Sequence, residues 1–237
     1  MNTIKILHLF PKLLSLYGEY GNIAVLRRAL ETAGYCVQLD SYEDGSLDLE
    51  PYSMIYVGAG TEDNLLESIR RLMPYKEAIS ASVDSGKLWL ATGNAMTLFG
   101  HSVARQQATS EALCLFEYDT HIFDTKRFLG DVVSTEAFGG HFVGFVNTSS
   151  VYGGISTPLL QLNLNPQLGN DKAGGADGIR HRNFYGTQLI GPVLVKNPHF
   201  LQYICRELTG EELLLPADSN AQKAYSIALS ELTKRMQ

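Results

Sequence analysis

Cysteine is scarce in this 237-residue chain, with only three residues of that type. Cys36, Cys114 and Cys205 are odd in number and share no metal-like spacing, which argues against a disulfide framework or a zinc site. Each sits among apolar residues, so buried free thiols in a reducing cytoplasm are expected. Long apolar runs are also missing. None approaches the ~18 residues that span a bilayer, and Ile4–Phe10 is too short, and too soon followed by Pro11 and Lys12, for a secretory signal. Positive charge is not in excess: 19 Lys and Arg face 25 Asp and Glu, for a net charge of −6. That balance argues against nucleic acid or an anionic membrane as the main partner. No Gly-x-Gly-x-x-Gly and no P-loop lysine motif occurs, so a nucleotide-binding reading rests on Gly58-Ala59-Gly60 alone. Neither a cofactor nor a metal is expected, and there is no repeat or low-complexity segment.

What is present is an ordinary globular balance, 45% apolar and 19% charged, long enough to bury a core. The pattern centres on residues 86–100. Leu88–Ala91 reads as a buried strand, broken at Thr92-Gly93-Asn94 and resumed as a helix at Ala95–Phe99. A strand, tight turn and helix is how an α/β fold lifts a nucleophile out of its sheet, with backbone N–H groups at the helix start binding an oxyanion. None of these three residues is a cysteine or a serine.

Strands are expected at 4–10, 35–39, 53–57 and 88–91, and helices at 23–33, 62–73 and 76–85. This alternation predicts a largely parallel sheet with helices on both faces. Gly58-Ala59-Gly60 closes the third strand where such sheets place ligands. Residues 111–157 carry short β-rich runs, among them 113–118, 131–134 and 142–146, read as an antiparallel or mixed extension of the sheet. Gly169–Gly175 reads as an exposed, mobile loop. Two short strands at 182–185 and 187–190, a helix at 198–208 and a loop through Pro216 follow. The final helix, 219–234, is expected to bury Ala221, Ala224, Tyr225, Ala228 and Leu232. No linker divides the chain, so residues 1–237 are expected to form a single domain.

Several motifs carry a resemblance: Leu16-Tyr17-Gly18-Glu19-Tyr20-Gly21-Asn22-Ile23, the turn at Gly58–Gly60, Gly130-Asp131-Val132-Val133, Val143–Asn147 and Gly186-Thr187-Gln188-Leu189-Ile190-Gly191-Pro192. In these the chain resembles class I glutamine amidotransferases of the CobB/CobQ-like type, and among them the GatD type. The resemblance implies a flavodoxin-like class I glutaminase fold over nearly the whole chain. In that family a cysteine attacks the glutamine amide, a histidine activates it, and ammonia passes to a ligase. The family's elbow, Cys-Gly-Gly-Tyr-Gln-x-Leu-Gly, falls on Gly93–Gly100 and puts Gly93 in the cysteine's place. Its histidine, in Gly-Thr-Tyr-Leu-His-Gly-Pro, falls on Ile190. Of its Phe-Glu-Asn-His-Gly-Gly-Arg run, which falls on Phe145–Val151, only Asn147 survives from the polar set.

The resemblance therefore implies a homologue without glutaminase activity of its own, a scaffold or regulator of a Mur-ligase-like partner in peptidoglycan-precursor or cobyric-acid-type amidation. Its ancestral pocket would comprise Gly58, Ala59, Gly60, Gly93, Asn94, Asn147 and Ile190, with Thr92 and Thr61 as further polar groups, open to a small molecule or to none. The alternative is an amidohydrolase with replaced machinery, in which Thr92 is the nucleophile and His101, His141 or His181 the base. Asn and Thr after strands also have a plainer explanation as turn formers, and the three histidines as loop or surface residues.

Overall fold

The computed structural model describes residues 3–213 and 219–236. The end of the loop expected through Pro216 lies outside the described residues. The first half mixes strands and helices: β1 (Thr3–Leu9), α1 (Tyr20–Thr32), β2 (Cys36–Tyr42), β3 (Met54–Val57), α2 (Glu62–Leu72), α3 (Lys76–Asp84) and β4 (Leu88–Thr92). Helix α1 begins inside the Leu16–Ile23 motif, earlier than the apolar spacing suggests. A 3₁₀ turn at Leu16–Gly18 precedes it, with Tyr17 at φ 59°. Thr61 caps α2 by accepting from the Asn64 N–H at 3.2 Å, and acidic residues open that helix while arginines close it, as the helix dipole favours.

The second half is mostly β: β5 (Ser102–Arg105), β6 (Ala108–Glu111), β7 (Asp119–Ile122), β8 (Phe128–Ala137), β9 (Gly140–Thr148), β10 (Ser150–Gly153), β11 (Leu160–Leu164), β12 (Ala176–Asp177), β13 (Ile179–His181), β14 (Phe184–Thr187) and β15 (Leu189–Ile190). Helices α4 (Val193–Lys196), α5 (Pro198–Thr209) and α6 (Asn220–Lys234) finish the described chain.

The central sheet has the order β13-β14-β4-β3-β1-β2. Only the β13 edge runs antiparallel. Successive side chains of a strand point to opposite faces, and the core divides accordingly. Leu7, Leu9, Ile55, Val57 and Trp89 pack towards α2 and α3. Ile4, Ile6, Met54, Tyr56 and Leu90 pack towards α1 and α5. Each such buried side chain contributes roughly 1.5–3 kcal/mol. The expected α/β fold with helices on both faces is present.

Some expectations are corrected. The β-rich segment 111–157 does not extend the central sheet; its strands hydrogen-bond into two other sheets, β10-β7-β5-β6 and β12-β11-β8-β9-β15, and only β13 and β14 of the second half join the central one. The 113–118 run is not a strand. It crosses the sheet edge as irregular chain, and its apolar residues fill the core beside Phe99 and Phe184. The 169–175 segment is not wholly exposed: Gly169, Asn170 and Gly175 are buried, because the Asn170 side chain bonds both backbone groups of Gly178. Among the residues expected to be buried in α6, Leu232 alone is fully so; this helix lies over two strands rather than in the interior. Of the cysteines, all free, Cys205 is buried but Cys36 is exposed, since β2 is an edge strand covered on one side only. Helix α4 was not foreseen, four residues being too few to show a period.

Candidate active site

The carboxyl ends of β3 and β4 lie side by side, with Val57 opposite Ala91. Beyond them, Gly58-Ala59-Gly60 and Gly93 turn out of the sheet. Gly93 sits at φ 63°, in the left-handed region, where a side chain costs about 1 kcal/mol or more. Residues 93–98 form a 3₁₀ stretch rather than the α-helix expected, so the elbow lacks the α-helical N-terminus expected to supply aligned donors to an oxyanion. The Met96 carbonyl accepts from the Tyr118 hydroxyl at 2.6 Å and from the Phe99 N–H at 3.0 Å.

The elbow tip is filled. A Cβ on Gly93 would stand 2.6 Å from the Ala59 Cβ and 2.9 Å from the Ile190 Cγ2. Gly93 and Ile190, far apart in sequence, are thus brought into contact through β15, which follows β14 directly. Ala59 and Ile190 are both buried. Asn94, beside them, is occupied as well: it accepts from the Gly60 N–H at 3.1 Å and donates to the Gly60 carbonyl at 2.8 Å. It staples the two turns together instead of facing a ligand.

Behind this apolar tip lies a polar cluster with no solvent exposure. Glu19, at the start of α1, Tyr56 of β3 and Thr92 of β4 are each 0% exposed. The Thr92 hydroxyl donates to the Glu19 carboxyl. The Tyr56 hydroxyl reaches the same carboxyl oxygen at 2.9 Å and accepts from the Asn22 amide at 2.9 Å. The Gly191 N–H donates to the other carboxyl oxygen at 3.3 Å, and Asn22 accepts from the Leu194 N–H at 2.9 Å. Burial raises the Glu19 carboxyl above the usual range, opposed by the hydrogen bonds from Thr92, Tyr56 and Gly191 and by the nearby Lys196 charge. Burial, and then the Glu19 charge, holds the Tyr56 phenol well above its ordinary value. Every polar group in the cluster has a partner, as buried groups require.

Thr92 therefore has a carboxyl beside it but no path to solvent, and its hydroxyl is committed. None of the three candidate histidines is bonded to it among the described residues. His101 Nδ1 lies 3.4 Å from Asp119, His141 Nδ1 lies 2.9 Å from the Ser134 carbonyl, and His181 packs its ring 5.5 Å from that of Phe116. Asn147, on β9, accepts from Arg127 Nε at 2.9 Å. Arg127 also reaches the Tyr17 hydroxyl at 3.3 Å and Glu62 at 3.4 Å, tying the second half to the Leu16–Ile23 motif. Glu19, Tyr56 and Arg127 carry this arrangement, and spacing alone did not single them out. For Glu19 the available signal was an acidic residue inside the motif; for Tyr56 it was a phenol amid a fully apolar strand.

No protein-family model matches the chain. It is similar to the subunit GatD of lipid II isoglutaminyl synthase (glutamine-hydrolyzing) from Staphylococcus aureus (strain N315), with 25% identity over 207 residues, 86% of this chain and 84% of the relative. The same-named subunit from Streptococcus pneumoniae (strain ATCC BAA-255 / R6) is 25% identical over 224 residues, covering 90% of this chain and 85% of the relative. A crystal structure of a glutamine amidotransferase from Thermotoga maritima superposes with a TM-score of 0.53 at 12% identity, over 98% of this chain and 97% of that one. The chain is a GatD-like protein with a glutamine amidotransferase fold.

Proposed function

We propose that this chain is a GatD-like amidotransferase subunit that does not hydrolyse glutamine and instead acts as a scaffold or regulator of a cytoplasmic, Mur-ligase-like amidating enzyme. Its 237 residues act as one domain. The relatives are subunits by name, which supports a partner, and no described helix is long and apolar enough to cross a membrane.

One observation carries the reading. The place where the family holds its nucleophile is taken by the Ala59 and Ile190 side chains, at 2.6 and 2.9 Å from where a Cβ on Gly93 would stand. A thiol needs both that volume and an imidazole within hydrogen-bond reach, ~2.6–3.2 Å. Here the volume is closed and the neighbour is a branched alkyl group. Gly58, Gly60, Asn94 and Asn147 keep the outline of the ancestral pocket without its reactive groups. The Thr92 reading has less support, because a nucleophile sealed at 0% exposure meets no substrate.

The test combines the chain with a Mur-ligase-like enzyme from its own organism and supplies nitrogen either as glutamine or as ammonium chloride. We expect the two proteins to co-elute, and amidation to proceed with ammonium but not with glutamine. Amidation driven by glutamine would overturn the inactive reading, and failure to co-elute would remove the scaffold role.

A further inference from the structure

Helix α6 lies across β8, β9 and α4 and does not seal against them. Beneath it is a cavity of about 400 Å³, within the range that holds small ligands. Val143 and Gly144 of β9 form its floor, and Ala224, Ala228 and Leu232 of α6 its roof. The small α6 residues hold the helix backbone close without filling the space. Lys196, on the last turn of α4, lines one end.

The charges around the cavity are unequally paired. Asp131 is bound by Arg235 at 2.7 Å, and Glu231 by Lys234 at 2.5 Å. Lys196 has neither an ion-paired nor a hydrogen-bonded partner among the described residues. Glu19, on its other side, is already held by Thr92, Tyr56 and Gly191. Burial lowers the Lys196 ammonium's affinity for its proton, with Asp131 and Glu19 opposing from a distance. A half-buried ammonium without a bonded partner at the end of an apolar trough lacks one thing: an anion attached to something apolar.

We propose that the cavity under α6 binds a small carboxylate with an apolar tail, the acid on Lys196 and the tail between Val143, Gly144, Ala224 and Ala228. Lys196 Nζ lies 3.3 Å from where a Cβ on Gly191 would stand, so this end of the cavity adjoins the turn after Ile190, and the proposal does not depend on the chain's glutaminase status.

The probe is octanoate, titrated into the full chain by calorimetry, with octylamine and octanol as charge-reversed and uncharged controls. We expect saturable octanoate binding, at least tenfold weaker binding of both controls, at least a tenfold loss in Lys196→Met, and recovery in Lys196→Arg. Ala228→Leu, which fills the trough and leaves the ammonium in place, should weaken octanoate by a similar factor. It keeps the test decisive if Lys196→Met fails to fold. Absence of saturable octanoate binding would overturn the proposal. So would equal binding of octanol, or octanoate affinity unchanged in both Lys196→Met and Ala228→Leu.

Discussion

The two sides of the β3–β4 edge have fared differently. In front, at Gly93, Ala59 and Ile190, the chain presents only methyl groups and hydrogens to the elbow tip. Behind, at Glu19, Tyr56, Asn22 and Thr92, every donor and acceptor is paired, and all four side chains are buried. The front is closed by small and apolar residues, which fill a crevice well. The back tolerates no such drift. Removing one member leaves its partners buried with fewer bonds, which costs more than the bond itself contributes.

That contrast can be broken at several points. The largest effect should come from Glu19→Ala, which removes the carboxyl shared by the Thr92 and Tyr56 hydroxyls and the Gly191 N–H and leaves the two hydroxyls only each other, the Asn22 amide and the residue 19 carbonyl. We expect a loss on the order of 3 kcal/mol or more in urea unfolding. A loss below about 1 kcal/mol would mean that the cluster is not what holds α1 to the sheet. Next, Gly93→Cys should destabilise by about 2–3 kcal/mol, from positive φ together with the collision on Ala59 and Ile190. Adding Ile190→Ala should restore part of that loss. A Gly93→Cys variant as stable as the parent would show the tip to be open after all.

Asn94→Ala should cost about 1–2 kcal/mol by removing both bonds to Gly60, measured in the same unfolding assay. The smallest and most specific effect is on pH dependence. Glu19 has its folded pKa raised above the ordinary value of 4.5, chiefly by burial. Its contribution is therefore fully present below 4.5 and lost as pH rises through the folded pKa. His8 and His199 run oppositely: burial lowers both from 6.5 to about 4. Their contribution is present above pH 6.5 and falls away as pH drops from 6.5 to 4. Glu19→Gln should accordingly remove a decline in stability with rising pH above 4.5 and leave the acid-side loss intact. An unchanged alkaline limb would place the carboxyl's titration elsewhere.

Much of this molecule was legible beforehand. The parallel sheet followed from apolar runs alternating with amphipathic helices, and the elbow followed from Thr92-Gly93-Asn94 after a buried strand. Other features depended on tertiary neighbours that no local pattern encodes. Nothing near Ala59 announces that its methyl group meets Gly93 and, through it, Ile190. Tyr56 reads as one more apolar residue of β3 until Glu19 and Asn22 arrive against it from α1. The 3₁₀ turn at 93–98 has the composition of a helix, and packing against Tyr118 and the neighbouring turn overrides that propensity. The 169–175 segment has the glycine content of a free loop, but Asn170 fastens it. Arg127 shows no local pattern either, because its partners, Tyr17 and Asn147, lie 110 and 20 residues away.

The most direct test of the central claim is the rate of glutamate release from saturating glutamine by the unmodified chain, alone and mixed with the proposed Mur-ligase-like partner. A closed, thiol-free elbow predicts a rate indistinguishable from a protein-free blank in both samples. Release at an enzyme-like turnover, on the order of 1 s⁻¹ or above, in either sample would contradict it.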